Sequence, residues 1–264
     1  MNKTDLLDRF ARDGESRLLL ARILDQQQRA QQRSIPTHTG FLSPAQQAES
    51  ADLLMAAPGQ GLLHGGYPDA ERKLWAFLPD WLEEETWLAG EDCPLCALSV
   101  TLPRGASLTH RDYLGALMGL GLTREKIGDI LLTGQGAQVV VLRETAPILL
   151  SQWTQAGKYP VKLAPLPLDQ LTPTPGERKQ IRATVASPRL DAVVSAGFSI
   201  PRSRAADLIR AGRVAVNHRP CDKADKVVAA GDVLTCRGLG KCVLTELGGT
   251  SKRGRLILAL ERYL

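Results

Sequence analysis

Aromatic side chains are scarce in this chain, with four each of Phe, Trp and Tyr in 264 residues. They form no motif of the kind on which sheet surfaces stack nucleic-acid bases. No run of 18 apolar residues occurs, which excludes a membrane-spanning helix. The opening residues, Met1-Asn2-Lys3-Thr4-Asp5-Leu6-Leu7-Asp8-Arg9, lack the apolar core of a signal peptide, so a cytosolic location is expected. No glycine-rich cofactor loop follows a strand, and Gly134-Gln135-Gly136 reads as a hairpin turn. No cofactor and no metal are expected. Cysteines number five, too few in the right places for a zinc ribbon. Cys93 and Cys96 make one Cys-x-x-Cys, but Cys221, Cys236 and Cys242 are scattered. A thioredoxin-like pair needs a helix after it, whereas Ala97 to Leu102 reads as a strand. Two ordinary thiols in a reducing compartment are the expectation.

What is abundant is positive charge in one place. Residues 178–264 hold 17 Lys+Arg against 7 Asp+Glu, a net of +10, while residues 1–177 hold 16 against 21, a net of −5. Asymmetry of this size points to a polyanionic partner for the last third.

The pattern along the chain predicts an α+β protein. Residues 1–69 read as a helical module. It has an interrupted amphipathic pattern over 1–33, a loop at 36–40 and a capped helix from Ser43 that Pro58-Gly59 ends. Residues 70–165 alternate as ββαββαβ. The strands are Leu74–Leu78, Ala97–Leu102, Asp129–Leu132, Gln138–Leu142 and Val161–Leu163, and the helices begin at Thr109 and Ala146. That order suits an α/β sandwich on the ferredoxin-like, RRM-like plan. Leu166 to Gly176 carries three prolines and reads as a linker, taken as 166–180. Residues 181–264 form the basic domain.

The basic domain has a compact grammar. Leu190, Val193 and Val194 mark a helix, with Gly197 as its stop. A second helix starts near Pro201 and carries Ala205, Leu208 and Ile209 inward. At about 100° per residue, Arg202 and Arg210 lie roughly 80° apart on one flank and Arg204 on the other. Gly212 stops it, Arg213 to Val216 alternates as a strand, and Asn217-His218 turns the chain. Val227 and Val228 are candidates for the return, and Gly231-Asp232 precedes Val233 to Arg237. The 55 residues from Ser187 to Lys241 resemble the alpha-L RNA-binding domain of small-subunit ribosomal protein S-four. The resemblance rests on Arg-Leu-Asp, on Ser-Arg-x-x-Ala-x-x-Leu-Ile-x-x-Gly-x-Val-x-Val-Asn, and on Gly-Asp-Val, in order. It implies RNA contacts at Arg189, Ser203, Arg204, Arg210 and Arg213, with Asn217 at the turn. Arg202, Arg237 and Lys241, basic positions of the same block, are further candidate RNA contacts. Pro201-Arg202 before Ser203 departs from the pattern, as does the missing glycine after Asn217.

A second stretch, Thr109-His110-Arg111-Asp112-Tyr113-Leu114-Gly115-Ala116-Leu117-Met118-Gly119-Leu120-Gly121-Leu122-Thr123-Arg124-Glu125-Lys126-Ile127-Gly128-Asp129-Ile130, resembles the signature of the bacterial YlmH family. So do the tail Thr250 to Arg255 and the order of domains. Membership implies a non-catalytic, ribosome-associated RNA-binding protein near the large subunit and tRNA, acting in stalled translation and ribosome quality control. Read on residues alone, Leu114, Leu117 and Met118 are core. His110 and Arg111 sit at a helix start that favours an anion. With Arg104 and Arg124 they form a candidate second phosphate contact. The expected partner is RNA, both rRNA and tRNA, with no membrane, and the expected state is a monomer.

Two other classes stay open. Arg189-Leu190-Asp191 matches the catalytic tripeptide of pseudouridine synthases, and an RNA methyltransferase is a related option. Only 73 residues follow Asp191, too few for a catalytic sheet, and Asp191 is expected to cap or salt-bridge the first helix. The remaining alternative is an adaptor that grips an acidic protein.

Overall fold

Helix formation begins with reciprocal hydrogen bonds between Asn2 and Asp5, each side chain accepting from the other's N–H. This capping box closes two of the donors that a helix start leaves open. The computed structural model describes residues 2–173, 178–251 and 254–263. Lys252 and Arg253 of the tail motif lie outside them, as does Gly176. The chain divides into two units, residues 1–174 and 175–264.

In the first unit, helices Lys3–Phe10, Gly14–Arg33 and Pro44–Ala56 pack Leu6, Leu20, Ile23, Leu53 and Leu54 around Trp75 and Phe77. Ser43 and Gln46 form the expected capping box. The region is not purely helical. Strand Leu74–Phe77 lies between Thr37–His38 and Leu62–His64 in a small antiparallel sheet. Thus the strand read as opening the middle segment pairs with N-terminal partners. Two- and three-residue strands carry no readable period, which is why the sequence hides them.

The middle segment folds as βαββαβ. Its antiparallel sheet runs in the order Ile127–Thr133, Gly136–Leu142, Leu95–Thr101, Lys162–Leu166. One face carries Leu98, Val100, Val139 and Val141 against helices His110–Gly119 and Ala146–Gln152. The other face is covered too. Leu95, Ala97, Val140 and Leu142 pack with Phe41, Leu74, Trp87 and Leu171. The stretch read as a linker therefore begins as packed structure. Leu168–Gln170 is a 3-10 turn, Leu171 is buried, and the Thr172 N–H donates to Gln138 Oε1 at 2.7 Å. Alternating leucines among the prolines supply that anchoring.

In the second unit, helices Leu190–Phe198 and Arg202–Arg210 share a core with a six-stranded antiparallel sheet. The strand order is Arg178–Val185, Leu256–Tyr263, Gly240–Thr250, Val233–Cys236, Val214–Val216, Arg219–Pro220. Gly212, at φ +64°, stops the second helix as expected. Gly197 does not end the first. It lies inside that helix, where a Cβ would sit 2.8 Å from Cys242 Sγ, and Ser199 at φ 55° caps the end. Asn217 and His218 both take positive φ, 50° and 65°, the geometry of a tight hairpin turn. The return strand is consequently Arg219–Pro220, and Val227 makes one isolated bridge to Arg189 while Val228 enters the core. Strands Arg178–Val185 and Leu256–Tyr263, and all of Gly240–Thr250 after Lys241, lie beyond the expected motif. Register shifts between Leu244 and Glu246 and between Leu247 and Thr250 break the alternation that would have marked them.

Candidate nucleic-acid interface

The two helices of the second unit meet at their starts through one carboxylate. Asp191, 6 % exposed, accepts from Arg202 Nε at 3.1 Å and Nη2 at 3.0 Å, and from Arg189 Nε and Nη2 at 3.4 Å. Burial works against the charge on Asp191, but the hydrogen bonds and charges of both arginines hold its carboxyl below the usual aspartate range. The pairing does not bury the cations, since the side chains of Arg189 and Arg202 remain 40 % and 55 % exposed. Asp191 thus fixes two guanidinium groups side by side with their outer edges open. This is the salt-bridging role the sequence assigns to Asp191.

Helix Arg202–Arg210 has Pro201 as its N-cap and no side-chain cap. Its first bonded amide is Ala205 N–H to Pro201 O, so the amides of Arg202, Ser203 and Arg204 have no backbone partner and point outward. Free first-turn amides plus flanking arginines are what a phosphate needs. Ser203 and Arg204 are exposed. Arg204 and Arg213 both act on the Cys236 thiol, where burial raises the pKa and the two positive charges oppose it. Arg213 is further tied to Arg237, donating to its carbonyl at 3.3 Å, while the Arg237 N–H donates to the Arg213 carbonyl at 2.9 Å. Arg204, Arg213 and Arg237 are therefore neighbours around the end of strand Val233–Cys236.

The other expected positions behave differently. Arg210 pairs with Asp207 at 2.9 Å, with both side chains well exposed, an arrangement that costs little to open. Asn217 is occupied internally. Its Nδ2 donates to Asp232 at 2.7 Å and its Oδ1 accepts from the Val233 N–H at 2.9 Å. It shapes the turn. Lys241 faces away from the helices, since its neighbour Cys242 enters the shared core. It lies 4.4 Å from the Tyr263 ring, with Arg178 4.9 Å from the same ring. A cation–aromatic–cation row on the far sheet face was not expected, because it needs three strands in register. Arg255 was also missed. It lines a shallow cleft of about 190 Å³ with Arg202, Ser187 and Ser195.

The second expected cluster is only partly assembled. Asp129 accepts from Tyr67 Oη and the Glu71 N–H, each at 2.7 Å, and from the Arg72 N–H at 3.0 Å. Arg72 donates to the carbonyls of Ile127, Phe41 and Arg124. Burial and the charge of Arg124 bring its pKa down to about 10. Beside it, Arg124 Nη1 is buried with no hydrogen-bond partner. His110, first residue of its helix, has its pKa lowered by burial and then by Arg124. Arg104 and Arg111 are exposed and are not among the charges acting on His110. Arg72 is the member that sequence reading missed, being 52 residues from Arg124.

Among the described residues no group of three or more His, Cys, Asp or Glu could hold a metal ion. Cys93 and Cys96 are free thiols, each with its pKa raised mainly by burial. No described helix is long and apolar enough to cross a membrane.

Comparison with known proteins matches this architecture in three places. Residues 15–79 match the model "YlmH, N-terminal", residues 91–170 match "Putative RNA-binding domain in YlmH", and residues 188–234 match the S4 domain. A solved structure, "Cell division protein ylmH from Streptococcus pneumoniae", shares the fold at 18 % identity and TM-score 0.51, covering 60 % of this chain and 94 % of that one. "Ribosome-associated protein quality control protein P2" of Bacillus subtilis (strain 168) is 35 % identical over 265 residues, 98 % of this chain and 99 % of that protein. Likeness of that extent, end to end and domain by domain, makes this chain a member of the YlmH family.

Proposed function

We propose that this chain is a non-enzymatic RNA-binding protein of the ribosome. On this reading it contacts rRNA and tRNA at the large subunit and serves the handling of stalled translation. The name of the Bacillus relative, a ribosome-associated quality control protein, supports the setting. The observation that carries the RNA reading is the start of helix Arg202–Arg210. There Asp191 clamps Arg189 and Arg202 with their outer edges open, beside three amides without backbone partners. Ser203, Arg204, Arg213 and Arg237 extend that surface. Arg124, with its unpartnered Nη1 near His110, is a second phosphate contact of the same reading.

We read the βαββαβ unit as ferredoxin-like, but not as an aromatic base-stacking platform, because both faces of its sheet are covered. Binding is favoured over base modification by the state of Asp191. A catalytic aspartate must reach a ribose or base, whereas this carboxylate is buried and engaged by two arginines. The test is RNA binding measured across salt. With about six phosphate contacts, log K against log salt has a slope of magnitude roughly 4 to 5. A slope near zero would remove phosphate neutralisation as the mechanism.

A further inference from the structure

The first unit carries a cleft that the RNA reading leaves unused. It encloses about 1000 Å³ between the end of helix Gly14–Arg33, residues 59–62 and residues 76–84. Three observations bear on what it takes. The first is its rim. Residues 79–92 hold Asp80, Glu83, Glu84, Glu85, Glu91 and Asp92 with no Lys, Arg or His. Asp80, Glu83 and Glu84 line the cleft, and among the described residues none of the three makes a salt bridge, while the Glu84 charge also acts on His64. The second is an unmet donor. Gln27, 4 % exposed, lines the same cleft, and its Nε2 has no hydrogen-bond partner. A buried N–H without an acceptor is costly, so an acceptor from outside is favoured there. The third is Trp81. It is 64 % exposed at the cleft wall and held by its Nε1–H donating to the Ser34 carbonyl at 3.2 Å.

A ligand that satisfies all three carries a cation for the carboxylates and the indole face, and a carbonyl for the Gln27 amide. Phosphate-bearing ligands are repelled by the rim. We propose that the cleft docks an extended, arginine- or lysine-bearing peptide segment of a partner protein. Its side-chain cation lies among Asp80, Glu83, Glu84 and Trp81, and a backbone carbonyl accepts from Gln27 Nε2.

The full chain, freed of RNA, serves for the test, with a fluorescently labelled Arg-Ala repeat peptide as probe and a Glu-Ala repeat as control. Trp75, Trp87 and Trp153 are 7 %, 2 % and 2 % exposed, so a change in indole emission reports on Trp81. The Arg-Ala peptide shifts that emission, the Glu-Ala peptide does not, and binding weakens as salt rises. Trp81→Ala lowers affinity, read by anisotropy, about fivefold. Gln27→Met lowers it severalfold, and the triple change Asp80→Asn, Glu83→Gln, Glu84→Gln abolishes it. Trp81→Ala needs no repacking and stands as the test even where Gln27→Met perturbs folding. Absence of Arg-Ala binding overturns the proposal. So does affinity unchanged in Trp81→Ala, which would reduce the effect to net charge. Loss of RNA affinity in Trp81→Ala would give the cleft to RNA and likewise overturn it.

Discussion

Asp129 and Asp191 each organise a segment rich in arginine, one inward and one outward. Asp129 spends its carboxylate on the backbone of Glu71 and Arg72 and on Tyr67, and the Arg72 guanidinium then turns to carbonyls. Asp191 spends its carboxylate on guanidinium groups and leaves their outer edges in solvent. An aspartate beside arginine thus gives a structural lock in the first unit and the proposed binding surface in the second. What separates them is where the arginine donors end.

The comparison breaks most visibly at the lock. Asp129→Ala strands a phenol and two backbone amides, and is expected to cost about 3 kcal/mol of stability in a denaturant titration. A loss below about 1 kcal/mol would show that Asp129 is dispensable to the fold. Next comes the surface. Arg204→Ala with Arg210→Ala is expected to weaken RNA binding about thirtyfold and to reduce the salt slope by about 2, with the melting temperature unchanged. Unaltered affinity would move the interface elsewhere.

Asp191→Asn lies between the two. It is expected to cost about 1.5 kcal/mol and to loosen Arg202, with RNA affinity falling in parallel. It also has a pH signature. The folded carboxyl titrates lower than a free aspartate. Its stabilisation is therefore complete above the ordinary range near about pH 4 and is lost as pH falls through the folded value. Acid melting curves of the parent should lose that increment, and those of Asp191→Asn should not. The smallest effect belongs to Tyr263→Ala, which removes the ring under Lys241 and Arg178 for about 0.5 kcal/mol.

Legibility in the sequence followed locality. The helix pair, the Gly212 stop and strand Val214–Val216 were readable, since each is written in adjacent residues. The pairing of Leu74–Phe77 was not, because its partners are two and three residues long. Arg189, Ser203, Arg204 and Arg213 were named through the resemblance to the alpha-L domain, whose motif spans one helix start. Arg72, Arg255 and the Tyr263 row could not, since packing across long loops brings them to their neighbours. Asn217 was legible as a turn former. Lys241 was placed with the helix cations because alternation about Cys242 has meaning only once the core face is known.

Gly197 sets a mechanical condition on the proposed RNA surface. The helix that begins beside Arg189 rests against the Cys242 sulfur with no space for one methyl group. Added bulk at that contact, whether Gly197→Ala or an adduct on the thiol, forces the sulfur aside or lifts the helix from the sheet. Lifting it would respace Arg189 from Arg202. The proposed grip on phosphate is thereby gauged by an apolar contact at the other end of the helix.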